Sequence, residues 1–158
     1  MTINEILAEV QELKPSQYDE ALMIKWLSRL EAKIIKELVY THIPDEKIKE
    51  KMSTISSNFV KLYSKELPLT EDTEENEPEF EQTEEFSGYG ENDYETELLI
   101  EEPYAEVYTF YIMSMIDYYN GETARYANSS AMFNNAYMEY AAYYNRTHEP
   151  ITVPLKVF

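Results

Sequence analysis

Two histidines, His42 and His148, are the only imidazoles this chain can use for acid–base work or metal ligation. Neither has a second histidine three or four residues away, the spacing that puts two ligands on one helix face, so a zinc site has weak support. Cysteine is absent, which excludes thiolate metal sites, disulfides and cysteine nucleophiles. There is no glycine-rich phosphate loop, no Gly-x-Ser-x-Gly elbow and no His-Glu-x-x-His pair. Each histidine ends a helical pattern, where an imidazolium complements the helix dipole, and that structural role is the one assigned. Carboxylates are abundant but crowd into a low-complexity stretch, and a catalytic pair must be held rigidly. The carboxylates of 91–97 also lack the glycine and final glutamate of an EF-hand loop. No catalytic residue, metal or cofactor is therefore assigned, and the chain is expected not to be an enzyme.

The net charge of −18 is local. Residues 1–70 carry 11 acids and 10 bases, 71–102 carry 15 acids and no base, and 103–158 carry 5 acids and 3 bases, giving −1, −15 and −2. Such a balance disfavours nonspecific binding to nucleic acid or anionic lipid. No apolar run approaches the roughly 20 residues of a membrane helix. Residues 1–5 lack a basic signal region, so a product made in the cytosol, with no membrane partner, is expected. The sequons at Asn128 and Asn145 then have no role.

The elements that must position these groups read as helices. Thr2 and Glu5 form a capping box for a helix over about 3–13, with Ile3, Ile6, Leu7, Val10 and Leu13 at helical spacing and Pro15 as the stop. A second helix is predicted from about Asp19 to Tyr40 on the stripe Met23, Trp26, Leu27, Leu30, Ile34 and Leu38, with Glu31 in possible surface pairs. A third, over about 45–65, rests on Ile48, Met52, Ile55, Phe59 and Leu62, with Asp45 as cap and a Ser/Thr/Asn cluster weakening it. Residues 67–102 read as a long acidic loop, flexible over 71–85, with a turn at 87–90. Pro103 opens a fourth helix to about Tyr119, with Tyr104, Tyr108, Tyr111, Met115 and Tyr118 as its stripe. Asn120-Gly121 is a tight turn, and a fifth helix follows over about 122–145, with Tyr126, Phe133, Tyr137, Tyr140 and Tyr144 on one face. The two pack as an antiparallel hairpin.

The expected fold is thus mainly α: one domain over 1–158, a small helical bundle built on a C-terminal αα-hairpin. Its parts are N-terminal helices (1–66), an acidic loop (67–102), the hairpin (103–148) and an extended C-terminal arm (149–158). Ten of the fifteen tyrosines fall in 104–144. Tyrosine suits surfaces that become buried on assembly. Phe110, Tyr119 and Tyr143 lie off the main stripes and are the interface candidates. The arm's Ile151, Val153, Leu155 and Phe158 join them. An arm of this kind either adds to a neighbour's sheet edge or folds back on its own subunit.

The stretch Asp117-Tyr-Tyr-Asn120-Gly121-Glu122-Thr-Ala-Arg125-Tyr126-Ala-Asn128-Ser129, continuing through Phe133-Asn134-Asn-Ala-Tyr137 to Tyr143-Tyr144-Asn145-Arg146-Thr-His148, resembles head–tail connector (head-completion adaptor) proteins of tailed phages and prophages of low-GC Gram-positive bacteria. Glu97-Leu-Leu-Ile-Glu-Glu-Pro103-Tyr104, Thr2-Ile-Asn-Glu-Ile and Lys25-Trp26-Leu27-Ser28 fit the same pattern. The resemblance covers about 1–42 and 95–149; the middle, 43–94, is longer and more acidic. It implies a helical structural protein of the virion neck, made in the host cytoplasm. It also implies that the chain assembles with itself as a ring below the portal protein, extends the DNA channel without binding DNA specifically, and docks the next neck or tail-completion protein. The resemblance further implies that the polar set Asp117, Asn120, Glu122, Arg125 and Asn134 is structural. An acidic DNA mimic that inhibits a DNA-binding enzyme is the alternative function.

Overall fold

The computed structural model describes residues 1–64 and 81–152. Over these residues the protein is mainly helical, with a single two-stranded antiparallel sheet. Helix α1 (Ile3–Leu13) starts on the predicted capping box: the Glu5 N–H donates to Thr2 Oγ1 at 3.3 Å and the Thr2 N–H to Glu5 Oε2 at 2.8 Å. Asp19 caps α2 (Glu20–Ile34) by accepting from the Leu22 N–H, and Asp45 caps α3 (Glu46–Thr54) by accepting from the Ile48 N–H. The α2 helix does not run on unchanged to Tyr40. Its last turn widens into a π-turn, Ile35–Val39, in which the Tyr40 N–H reaches back to Ile35 O.

The third predicted helix is half right. Helix α3 ends at Thr54, and after a 3-10 turn at Ser56–Asn58 the chain becomes strand β1 (Phe59–Ser64). Serine, threonine and asparagine side chains compete for backbone partners and break the helix there: Thr54 Oγ1 donates to Glu50 O, and Asn58 Nδ2 to Gly88 O and Asp93 Oδ2. Phe59 and Leu62 therefore belong to an extended strand, not a helical stripe. Part of the segment read as a flexible acidic loop is likewise ordered. Residues Glu81–Phe86 form β2, paired with β1 from Phe59↔Phe86 to Ser64↔Glu81. The rest of 71–85 lies outside the described residues.

Residues 87–102 are a packed loop, not a solvated one. Leu98, Leu99 and Ile100 are buried, as are Phe86 and Tyr89. The loop lies along the start of α1, where the Ile3 N–H donates to Thr96 O, Asn4 N–H to Tyr94 O and Leu98 N–H to Met1 O. Pro103 sits in a turn, and α4 (Glu106–Tyr119) begins three residues later than predicted. Helix α5 (Thr123–Thr147) returns antiparallel, and α2 packs against α4. The core runs between them, with Trp26, Leu30, Ile34, Val107, Tyr108, Ile112, Ile116, Phe133 and Tyr144.

The turn between α4 and α5 is a Schellman motif. Gly121 has φ +71°, the Gly121 N–H donates to Tyr118 O, and the Glu122 N–H reaches back to Asp117 O. Gly88, at φ +109°, is constrained in a different way. A Cβ there would meet Ser28 at 3.2 Å, so the loop approaches α2 as closely as it does only with glycine.

Trp26 is fully buried, as its place on the α2 stripe predicted. Trp26→Ala should therefore destabilise the protein by about 3–5 kcal/mol in urea unfolding, through lost transfer free energy and the cavity left behind. A loss below about 1 kcal/mol, the size typical of a surface change, would contradict this packing.

Candidate functional site

The most heavily constrained polar group is Glu31, whose carboxylate is fully buried. The sequence puts it in possible surface pairs with Lys33 and Glu37, and the structure corrects this. The structure places it on the face of α2 that meets the 87–102 loop. Its Oε1 accepts from the Leu99 N–H at 2.9 Å and the Tyr89 hydroxyl at 3.1 Å, and its Oε2 from the Tyr108 hydroxyl at 2.6 Å. Tyr108 Oη in turn accepts from the Ile100 N–H at 3.0 Å. Burial pushes the Glu31 carboxyl above its ordinary range, against the pull of the three donors and of nearby Lys51. Burial and the adjacent carboxylate likewise raise the Tyr108 and Tyr89 hydroxyls. With every oxygen engaged and no opening to solvent, this network holds structure together and offers nothing to a substrate.

The predicted polar set resolves into separate pieces. Asp117 is buried and pairs with Lys14 from the end of α1. It also accepts from Ser129 Oγ of α5 at 2.8 Å, so one carboxylate joins three helices. Asn120 Oδ1 accepts from the Tyr18 hydroxyl at 2.8 Å. Arg125 and Glu122 form the expected clamp across the first turn of α5 at 3.0 Å, but the pair is exposed and contributes only a few tenths of a kcal/mol. Asn134 is exposed on α5 well past the turn and does not belong with the others. Lys14, Tyr18 and Ser129 are the partners that no local spacing announced.

Aromatic side chains collect at both ends of the hairpin. At the turn, Tyr119 stacks on Trp26 with ring centroids 5.4 Å apart and planes 7° apart. Tyr18 meets both rings edge-on, and Tyr118 bridges Tyr119 to Tyr126. Tyr119 is 51% exposed, which agrees with its place off the main stripe. Tyr118 is 58% exposed and Tyr126 also faces solvent, although the helical stripes put both on the core side. The reason is geometric: at the turn the helices end, and nothing of the described residues lies beyond to cover these positions. Phe110 is half-buried and packs on the core, which removes it from the interface candidates. Ile151 is exposed; Val153, Leu155 and Phe158 lie outside the described residues.

At the other end, Tyr143 stacks on Tyr104 at 4.8 Å beside a cleft of about 410 Å³. Asp45, Lys47, Lys51, Glu101, Glu102 and His148 are its ionisable lining residues. His148 Nε2 lies 2.8 Å from Asp45 Oδ2, and its ring stacks on Tyr144 at 3.8 Å. Burial alone would raise the Asp45 carboxyl, but the Ile48 N–H and His148 hold it below its usual value. His42 meets the same Tyr144 ring edge-on at 5.2 Å. The two histidines, far apart in sequence, thus flank one tyrosine. Each keeps Nδ1 close to a helix-end carbonyl, His42 to Leu38 O and His148 to Tyr144 O, as the helix-end reading predicted. Burial pushes the Tyr144 hydroxyl up to about 12. The cleft lining holds no serine, threonine or cysteine nucleophile. Among the described residues no three side chains are grouped to hold a metal ion, and no helix is long and apolar enough to cross a membrane.

No family model matches the chain, and no curated protein or solved structure is similar to it.

Glu31→Leu should cost on the order of 3 kcal/mol, because the Leu99 N–H and the Tyr89 and Tyr108 hydroxyls lose a common buried acceptor. The pH dependence has a definite sign. With the folded-state pKa raised, the contribution of Glu31 is fully present below its ordinary value and is lost as pH rises through the raised one. Urea midpoints of wild type should fall, relative to those of Glu31→Gln, which has no proton to lose, as pH rises from the ordinary glutamate range through the raised value. Parallel pH profiles for the two proteins would refute this.

Proposed function

We propose that this chain is a non-enzymatic structural protein of a tailed-phage virion, a head–tail connector that forms a ring below the portal. In this reading the ring extends the DNA channel and docks the next neck or tail protein. The observation that carries it is the α4–α5 hairpin. The residues that resemble connector proteins, 117–148, run from the last turn of α4 through the whole of α5. That hairpin presents exposed aromatic side chains at both ends: Tyr118, Tyr119 and Tyr126 at its turn and Tyr143 at the far end. Exposed tyrosines backed by rigid packing are typical anchors of protein–protein contacts. Tyr119 is braced by buried Trp26, and Tyr143 by Tyr104. Met138, 68% exposed at mid-α5, adds apolar surface between them. The partners are then further copies of the chain, the portal protein and the next neck protein, with DNA passing through without specific contact.

The second reading, an acidic DNA mimic, gains one observation in its favour. Glu91, Glu95, Glu97, Glu101 and Glu102 are exposed on a loop whose backbone is pinned by buried Leu98–Ile100. Lys47 and Lys51 weaken it by pairing with Glu101. Displacement of DNA from a nuclease or repressor by the purified protein would favour this reading over the connector.

Negative-stain imaging of the purified protein and of the parent particle tests the connector directly. Rings in solution, or density for this chain at one capsid vertex, are expected. A strictly monomeric protein absent from particles would overturn the proposal. Among variants, Tyr118→Ser and Tyr143→Ser should reduce ring or particle assembly at least about tenfold, the loss of roughly 1.4 kcal/mol at an interface anchor. Tyr119→Ser should do the same and also lower stability by about 1 kcal/mol, since it removes the stack on Trp26. Normal assembly by all three would remove the hairpin ends from the interface.

A further inference from the structure

The chain leaving α5 turns back on its own subunit. The Ile43 N–H donates to Glu149 O at 2.7 Å and the Ile151 N–H to Thr41 O at 2.9 Å. Between these two bonds lies the antiparallel bridge of His42 and Pro150. Pro150 sits where the ladder asks for no N–H, so the proline that restricts strand pairing is accommodated. His148 adds its contact with Asp45 one turn earlier. The direction of the arm is therefore fixed at residue 151 by contacts within one chain.

That direction leads to an apolar groove. Val39, Tyr40, Pro44, Met52 and Phe59 line it, and it has a volume of about 550 Å³. Ile151 already stands in its lining. Lys49 and Glu84 stand in the lining too, one cation and one anion. The sequence that follows is Thr152-Val153-Pro154-Leu155-Lys156-Val157-Phe158, apolar at every position but two. Extended, it reaches about 23 Å beyond Ile151 at roughly 3.3 Å per residue, enough to cross such a groove.

We propose that residues 153–158 occupy this groove in the same chain, with Leu155 and Val157 or Phe158 covering Met52 and Phe59 and Lys156 facing the Glu84 side. The choice of the chain's own arm over a neighbour's follows from the tether. A segment already held at residue 151 is presented at a millimolar-scale effective concentration, which a second copy must exceed to displace it. The arm would then tie the end of the α5 helix to α3 and to the base of the β1–β2 hairpin. This inference is independent of the connector reading: it concerns one subunit and stands or falls in the purified monomer.

Because the chain has no cysteine, introduced pairs report cleanly. Met52→Cys with Leu155→Cys, and separately Phe59→Cys with Val157→Cys, should form a disulfide within one chain on mild oxidation. Such a product runs as a compact monomer on a non-reducing gel, and the peptide link is located by mass spectrometry. Each variant is first checked in the reduced state for wild-type helical content and melting temperature. A chain ending at Thr152 gives a second measurement: amide exchange over 48–60 should quicken at least about fivefold when the groove is uncovered. Disulfide dimers in place of monomers would mean that the arm is exchanged between copies, overturning the assignment to one chain. No disulfide in either pair, with exchange unchanged by truncation, would show that the groove is not the arm's site.

Discussion

The Glu31 carboxylate is the group on which the rest of the packing depends. A buried carboxyl whose oxygens are not met by partners is costly to keep, and here three donors converge from two different parts of the chain. Two of them, the Leu99 N–H and the Tyr89 hydroxyl, belong to the loop between β2 and α4; the third, the Tyr108 hydroxyl, belongs to α4 itself. Their geometry leaves the loop one position relative to α2. Ser28, one turn earlier on the same face, accepts from the Tyr89 N–H at 2.9 Å and reinforces it. Leu98, Leu99 and Ile100 then fill the space between α1, α2 and α4 as an apolar layer. A buried polar group of this kind adds specificity more than stability, since misplacing the loop by one residue would leave the Leu99 and Tyr89 donors unmatched.

Asp117 performs the corresponding task at the opposite end of α4. It joins α1 through Lys14 and α5 through Ser129, so that both helices are tied to the end of α4 by one carboxylate. The aromatic stack from Trp26 through Tyr119 to Tyr118 and Tyr126 grows outward from that region. A rigid base under exposed rings lowers the entropy lost when they are covered, because the side chains are already held in place. In the proposed connector, stability and interaction surface would be made by the same residues.

What the sequence made legible was whatever depends on local spacing. The capping box at Thr2 and Glu5, the cap at Asp45, the α2 stripe with Trp26 and the Asn120-Gly121 turn each require only neighbours within a few residues. The failures came where distant parts meet. Glu31 has the spacing of a surface residue, and only the return of the chain at Tyr89, Leu99 and Tyr108 makes it internal. Phe59 and Leu62 fit a helical period by coincidence, and strand β1 wins because β2 offers it a partner. Tyr118 sits in register with core positions but lies at the last turn, where the packed neighbour runs out. The off-stripe aromatics differ in exposure for the same reason: Tyr119 and Tyr143 are exposed, whereas Phe110 is partly buried against elements that its own helix cannot reveal.

The pairing of Ser64 with Glu81 has a consequence for how this chain can change. Whatever lies between those two residues departs from and returns to nearly the same point, since Cα atoms paired across an antiparallel ladder stand about 5 Å apart. A flexible insert placed between those two ends is nearly uncoupled from the fold in length: doubling it adds only about 0.6 kcal/mol of closure entropy. The hairpin acts as a port through which sequence can be gained, lost or replaced while the helices keep their places. The part of the chain that departs most from the connector resemblance, 43–94, contains this port. Divergence collected there leaves the caps, the buried carboxylates and the helical hairpin untouched, and a foreign domain spliced between Ser64 and Glu81 meets the same two closely spaced ends.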